Sequence, residues 1–271
     1  MISIIMPSLN PDLNKICRTL SLILKNFGEY EIILVLQKTP EHIIDEITKT
    51  FALNYKLKII IDSGVGISRA RNVAVKSSVG EWILLLDDDV YVNDNVIELL
   101  NKNLCNKNLF YYGNALVNST GNHYVRFHII IKDLSFWSYN RVCSISLIIN
   151  RQVFSQIGFF DESFGSGCRM GSSEESDFVV RALLNKIRIK YLKCYSVQHD
   201  EALHSLKKVE IYAVGGGGLC RKHMPSMNLT LYTKFICDFC IRLLLLLTFQ
   251  KKRFIFLKGF VRGFLNYKDL R

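Results

Sequence analysis

With 271 residues, 49% of them apolar, the chain can bury a full core, and one domain with an appendage is the expected organisation. The formal net charge of +11 is unevenly spread, because from Leu229 onward nine Lys/Arg stand against two Asp. That basic tail is also rich in Leu, Ile and Phe, which a solvated nucleic-acid-binding arm does not need; nucleic acid is set aside, and an anionic lipid surface is the expected partner.

Met1-Ile2-Ser3-Ile4-Ile5-Met6-Pro7 has no basic n-region and meets a proline straight after a short apolar run, so it reads as a first strand and not as a signal peptide. Apolar runs at 3–6, 31–36, 58–61 and 82–86 predict strands, and segments of helical spacing at 12–26, 41–53 and 67–77 predict helices between them. This order argues for an α/β fold with a mainly parallel central sheet. Trp82-Ile83-Leu84-Leu85-Leu86 lacks polar alternation, as a central strand covered on both faces requires. It ends at Asp87-Asp88-Asp89, and in open parallel sheets ligands bind beyond the carboxyl ends of the strands.

Side chains alternate along an extended segment, so Asp87 and Asp89 are expected to point one way and Asp88 the other. Two such hard oxygen donors suit Mg²⁺ or Mn²⁺. A loop of solvated aspartates is the plainer alternative, but three adjacent like charges at a buried strand end repel unless something compensates them. Upstream, Gly64-Val65-Gly66-Ile67-Ser68-Arg69-Ala70-Arg71-Asn72 is a glycine turn entering a helix. Its N–H groups and positive helix end suit a phosphate, with Arg69 or Arg71 adding charge, or Arg71 simply pairs with a nearby aspartate. The segment has neither the Lys-Ser/Thr ending of a P-loop nor the third glycine of a dinucleotide fingerprint.

Farther on, strands are predicted at 124–131, 142–149 and 189–197, helices at 151–157 and 174–185, a Gly/Ser-rich loop at 159–173, and a loop or mobile lid at Gly215 to Gly218. Ser172 and Glu175 are spaced as a capping box, and Asp177 and Arg181 as an i,i+4 ion pair; the competing reading makes Glu174 or Glu175 a general base. His199, just past a strand, is a candidate metal ligand, with His204 and His223 weaker ones. The eight scattered cysteines suit reduced thiols in a cytosolic compartment, and Cys237 and Cys240 lack the second pair that would complete a zinc site.

Taken in order, these segments resemble glycosyltransferase family 2, the inverting nucleotide-sugar transferases of GT-A (Rossmann-like) fold, from Ser3 to about His223. Ile4-Ile5-Met6-Pro7-Ser8-Leu9-Asn10 is similar to the family's opening strand and donor-binding turn, Gly66 to Asn72 to its helix beside the nucleotide, and Asp87-Asp88-Asp89 to its Asp-x-Asp metal motif. Ile157-Gly158-Phe159-Phe160-Asp161-Glu162 matches the segment that introduces the acceptor side. Glu174-Glu175 sits where the family carries Glu-Asp, so the base role falls on Glu175, with Glu174 as its alternative. After the second strand the family commonly has an aspartate that reads the nucleotide base, whereas this chain has Val35-Leu36-Gln37-Lys38.

The resemblance implies a catalytic domain over 1–228 that binds a nucleotide-sugar donor through Pro7, Ser8, Asn10, Asp62, Arg71, Asp87 and Asp88. It also implies Mn²⁺ or Mg²⁺ on Asp89, Asp87 and His199, with Asp87 on the ribose as the other option, and inverting transfer to a lipid-linked or oligosaccharide acceptor against which Trp137 and Tyr139 could stack. Bacterial O-antigen or capsule synthesis at the cytoplasmic side of the inner membrane is the implied setting. A nucleotidyltransferase, or a non-catalytic membrane-attached sugar-binding protein, are the competing readings. The tail, 229–271, is expected to form basic amphipathic helices, because Lys234, Asp238 and Arg242 recur every four residues on an otherwise apolar segment. It then lies on the membrane surface, packs on the domain, or forms the contact of a homodimer.

Overall fold

The computed structural model describes residues 1–105, 108–122, 133–200, 205–226 and 228–268. The first half is a series of strand–helix units: β1 (Ile2–Leu9), α1 (Leu13–Leu24), β2 (Tyr30–Gln37), α2 (Glu41–Thr50), β3 (Leu57–Asp62), α3 (Ile67–Ser77) and β4 (Trp82–Leu85). β3, β2, β1 and β4 lie side by side in parallel. Alternate residues of these strands feed two separate cores, Ile5, Ile33, Val35, Ile83 and Leu85 on one face and Ile4, Met6, Ile32, Leu34 and Leu84 on the other. Both faces are covered, hence the unbroken apolar runs. The side chain of Asp12 caps α1 by accepting the N–H groups of Asn14 and Lys15, and the helix buries Ile16, Leu20 and Ile23.

The second half adds β5 (Val90–Val92), α4 (Val96–Asn103), β6 (Phe110–Val117), β7 (Leu147–Asn150), α5 (Arg151–Ile157), α6 (Glu174–Leu184) and β8 (Ile189–His199). Three helices follow, α7 (Leu206–His223), α8 (Leu229–Leu246) and α9 (Lys251–Asn266). One eight-stranded sheet results, in the order β3-β2-β1-β4-β7-β6-β8-β5. β7 is antiparallel to β4 and β6, and β5 to β8, so the α/β fold has a mixed sheet whose parallel half carries the first units.

Several expectations are corrected. The strand predicted at 142–149 is confined to Leu147–Asn150, because Ser144–Ser146 forms a 3₁₀ turn; the one predicted at 124–131 lies outside the described residues, as does His204. β5, α4 and β6 carried no sequence expectation. The glycine run is neither lid nor loop, for Gly215 to Gly218 lie inside α7. A Cβ on Gly215 would sit 2.1 Å from Ser172 Oγ, one on Gly217 2.0 Å from the Phe260 carbonyl oxygen, and one on Gly263 of α9 2.0 Å from the Val214 carbonyl oxygen. The glycines let α7 press against the 170–173 loop on one side and α9 on the other, and this packing outweighs their poor helix propensity.

On α8 the charged stripe turns inward. Lys234 is buried in an ion pair with Asp238 and lies 6.0 Å from the Tyr139 ring, and Arg242 sits 3.8 Å over Phe256 of α9. Ile236, Ile241, Leu244 and Leu247 are left exposed on the outside. All eight cysteines are free thiols, and among the described residues no helix is long and apolar enough to cross a membrane.

Candidate active site

A cleft of about 810 Å³ opens beyond the carboxyl ends of β1 and β4 and is closed on another side by α7 and α9. Pro7, Ser8, Asp87, Asp88, Asp89 and His199 line it. The expected alternation of the aspartates does not occur: the chain turns at Asp88–Asp89, and all three line the cleft. Each is claimed by a different element. Asp87 Oδ1 accepts from Arg71 Nη2 at 3.2 Å, and Asp88 Oδ2 accepts the hydroxyl of Ser8. Asp89 Oδ1 accepts from His199 Nε2 at 2.9 Å, and its Oδ2 from Lys15 Nζ at 3.3 Å.

The pairing of β5 with β8 sets Val90 opposite His199, and so brings the histidine beside Asp89 across 110 residues of chain. The hydrogen bond from His199, with Lys15 nearby, holds Asp89 below the usual carboxylate range. Burial pushes Asp88 up to about 6 against the pull of Ser8. Burial opposes a charge on His199 too, yet the Asp89 carboxylate and the Asp200 carbonyl raise it to about 9, so it stands as a cation beside Asp89.

Among the described residues no group of three or more His, Cys, Asp or Glu side chains is arranged to hold a metal unaided. The donor chemistry nevertheless fits Mg²⁺ or Mn²⁺, which commonly take one or two carboxylates and complete their shell with water and substrate phosphate. Asp87 and Asp89 provide such a pair on the cleft floor, and His199 joins them as a ligand only when neutral.

Arg71 does not line the cleft. It is fully buried, gives Nη2 to Asp87 and Nη1 to Glu174 Oε1 at 3.0 Å, and thus joins the floor to the start of α6. Burial opposes its charge, but Glu174, Asp87 and Glu175 hold the guanidinium ionised. Its neighbour Asn72 clamps the segment before α6, donating to the Phe160 carbonyl and Glu162 and accepting the Phe160 N–H.

Ser173, with φ of 73°, is the N-cap of α6 and makes no side-chain cap, while Ser172 Oγ turns to the Ile211 carbonyl of α7; the capping-box spacing is therefore unused. The Asp177–Arg181 ion pair does form, at 2.9 Å. Asp177 also binds Lys222 at 2.7 Å and His223 at 2.8 Å, and although burial opposes ionisation, the hydrogen bond to His223 and the charges of Arg181 and Lys222 hold it far below the carboxylate range. Lys222 reaches Asp161, which the Tyr267 hydroxyl also contacts at 3.2 Å, so α6, α7 and the end of α9 share one buried ionic cluster. Glu175 is partly exposed, and burial together with the adjacent Glu174 pushes it up to about 8.

Tyr212 of α7, half exposed on the cleft wall, is a residue that sequence reasoning missed; after burial, the charge of Glu175 is the next cause of its raised value. Asn10 (φ 52°), which is exposed, and Asp62, which is buried, do not line the cleft. Asp62 is held by Gln37 Nε2 at 2.8 Å and by Arg69, while Gln37 Oε1 accepts the Gly66 N–H at 3.0 Å. Gln37, where the family commonly has aspartate, thus has both ends of its amide engaged and still lines the cleft. Tyr139 is a core aromatic packed on Phe235, and Trp137, though exposed, is not on the cleft.

Comparison with known proteins places this geometry. The family model for Glycosyl transferase family 2 matches residues 3–175. An uncharacterized glycosyltransferase of Haemophilus influenzae is 25% identical over 191 residues, which cover 68% of this chain and 62% of that protein, so the chain spans less than two thirds of its relative's length. Among solved structures, S. aureus TarS aligns with a TM-score of 0.64 at 18% identity over 86% of this chain and 41% of TarS. Its 1–349 fragment in complex with UDP-GlcNAc aligns at 0.58 and 17% identity over 87% of this chain and 78% of that one. The fold is that of the GT-A-like glycosyltransferases.

Proposed function

The chain belongs to glycosyl transferase family 2, and on that footing we propose that it moves a sugar from a nucleoside-diphosphate sugar to a hydroxyl of a glycan acceptor, with inversion at the anomeric carbon. The observation that carries this reading is the buried Arg71 bridge between Asp87 and Glu174. One guanidinium fixes the spacing between carboxylates suited to the leaving-group end and a glutamate pair suited to deprotonating a nucleophile, and a fixed spacing of that kind is what an in-line displacement needs. The solved complexes of TarS with UDP and UDP-GlcNAc support a nucleotide sugar as donor.

In this mechanism Glu175 takes the proton of the acceptor hydroxyl as its oxygen bonds to the anomeric carbon, and the electrons of the breaking bond leave with the diphosphate. A divalent ion on Asp87 and Asp89, when bound, supplies charge neutralisation for that leaving group. Ser8 and Lys15 orient the floor carboxylates, and Arg71 fixes the position of Glu174 beside Glu175.

We place the enzyme at the membrane surface by the outer face of α8. Its exposed Ile and Leu residues, the basic start of α9 at Lys251 and Lys252, and an apolar groove of about 300 Å³ between the two helices suit a layer of anionic lipid. A lipid-linked acceptor in bacterial surface polysaccharide synthesis fits that location. The test is to incubate the intact protein with a panel of nucleotide sugars and Mn²⁺ or Mg²⁺, then identify the released nucleotide and the product anomer by NMR. A nucleoside diphosphate and an inverted anomer are expected. Released pyrophosphate would point to a nucleotidyltransferase, and a retained anomer would exclude the single displacement.

A further inference from the structure

The cleft has a second charged region that the transfer chemistry does not use. Its floor is acidic, whereas Arg169 of the 166–171 loop, Lys208 of α7 and Arg262 of α9 line the wall, with Tyr212 among them. These cations come from three separate segments, and the close crossing of α7 and α9 at Gly217 and Gly263 is what brings the two helices together. Arg169 is pinned by one bond from Nη2 to the Asn266 carbonyl at 2.7 Å, and Arg262 by Nη1 to Glu210 at 2.9 Å. A guanidinium has five N–H donors, so each is oriented by the protein and keeps most of its hydrogen-bonding capacity. The Lys208 ammonium has no hydrogen-bond or ion-pair partner among the described residues, and Glu210 on Arg262 is the one carboxylate paired with these three cations there. Positive charge is therefore in excess there, in the planar donor geometry that matches phosphate.

The proposed function puts the donor's diphosphate at the aspartate floor, and Tyr212 stands on the wall with these cations, its ring near enough to Glu175 to feel its charge. We propose that this wall is an acceptor subsite for a phosphate-bearing glycan: Tyr212 stacks on the acceptor sugar whose hydroxyl faces Glu175, and Arg169, Lys208 and Arg262 hold the phosphate joined to it. The proposal rests on the transferase reading and names its acceptor class. A phosphodiester polymer and a lipid-linked sugar phosphate share this chemistry.

Calorimetric titration of the intact protein in EDTA, which removes any route through a divalent ion, compares methyl glucoside, glucose 1-phosphate and an octyl ester of glucose 1-phosphate. The two phosphate-bearing probes are expected to bind at least about ten-fold tighter than the neutral one, with about ten-fold lost per cation removed in Lys208→Gln and in Lys208→Gln/Arg262→Gln. Lys208→Gln, in the first turn of α7, keeps the test valid if the double variant folds poorly. Tighter binding of the octyl ester than of glucose 1-phosphate assigns the phosphate to a lipid-linked acceptor; equal binding assigns it to a soluble phosphodiester. Equal binding of the neutral and phosphorylated sugars, or a preference that survives both variants, overturns the proposal. Donor cleavage is followed in parallel: cleavage without phosphate preference removes the subsite and leaves the transferase, and phosphate preference without cleavage of any nucleotide sugar does the reverse.

Discussion

At the floor of the cleft, Asp87, Asp88 and Asp89 leave a four-residue strand that is buried on both faces, and each carboxylate is met by a partner from a different strand or helix. On the helical wall, Tyr212, Lys208 and Arg262 stand on α7 and α9, which no sheet holds, and their placement depends on glycine contacts and on the cluster around Asp177. Hydrogen-bonded register fixes the first region; shape and buried charge fix the second. A sheet end keeps its backbone when one carboxylate is lost, so changes there should strike chemistry first and stability only through the lost ion pair. Changes in the helical wall should strike stability and acceptor use together.

The largest expected effect lies at the floor. Asp89→Ala should abolish transfer and remove Mn²⁺-dependent stabilisation by the donor in a thermal-shift assay, and it should lower the melting temperature without ligand as the ion pair with His199 is lost. Near-normal turnover with an unaltered metal requirement would remove Asp89 from the metal site.

Next comes Glu175, whose neighbour Glu174 is tied to the floor through Arg71. Glu175→Gln should lower the transfer rate by roughly 10²- to 10⁴-fold while donor binding persists. The free enzyme's value of about 8 means that Glu175 is protonated, and so idle as a base, at lower pH. kcat/KM should therefore climb about ten-fold per pH unit and level off above about pH 8, with the limb belonging to the coupled Glu174–Glu175 pair. The limb should vanish in Glu175→Gln. The same raised value implies a fold that loses stability as pH rises between the ordinary 4.5 and about 8, a loss that Gln removes. If Glu174→Gln erases the limb and Glu175→Gln does not, the base is Glu174.

The contrast between sheet and helices also explains what the sequence made legible. β1, β2 and β4 are readable because strands covered on both faces need unbroken apolar runs, β3 because its apolar run persists at the sheet edge, and the aspartates because they follow one such run directly. β5 is three residues long and owes its existence to pairing with β8, which no local pattern records. The glycine run in α7 reads locally as a loop, and only α9, more than 40 residues on, turns it into a helix contact. Likewise Arg71 displayed its residue type and its helix, but its tie to Glu174 spans 103 positions. Glu174 and Glu175 stand out at an acidic helix start and His199 just past a strand, and the family pattern then gives them roles; Tyr212, on an unmarked helix, has no such signal.

The wall is tested more gently by a pair of glycine variants. Gly263→Val puts a Cβ against the backbone of α7, which cannot yield, and should cost about 1–3 kcal/mol in urea unfolding, with weaker acceptor use. Gly216→Ala meets only Phe260 Cδ2 at 3.9 Å and should stabilise by up to about 1 kcal/mol through helix propensity. Equal effects of the two would mean that the α7–α9 crossing is not what holds the wall.

The smallest effect on the fold, and the sharpest test of the outer surface, comes from α8. Cutting the chain after Asn228 is a poor experiment, because it removes Arg262 from the cleft, Tyr267 from Asp161 and its stack on Phe164, and α9 from the glycine face of α7. Ile241, Leu244 and Leu247 are 54%, 66% and 71% exposed, so replacing all three with Ser leaves the interior untouched. Each change should shift stability by no more than about 0.5 kcal/mol. If this face meets lipid, the triple variant should leave vesicles containing phosphatidylserine that retain the wild type, with its melting curve and donor cleavage preserved. Lys251→Gln/Lys252→Gln should weaken the same binding by about 1 kcal/mol per charge and reduce its salt dependence. Unchanged vesicle binding, together with a wild-type dimer that the triple variant dissolves in sedimentation equilibrium, would assign the face to a second copy of the chain and detach the membrane from the mechanism.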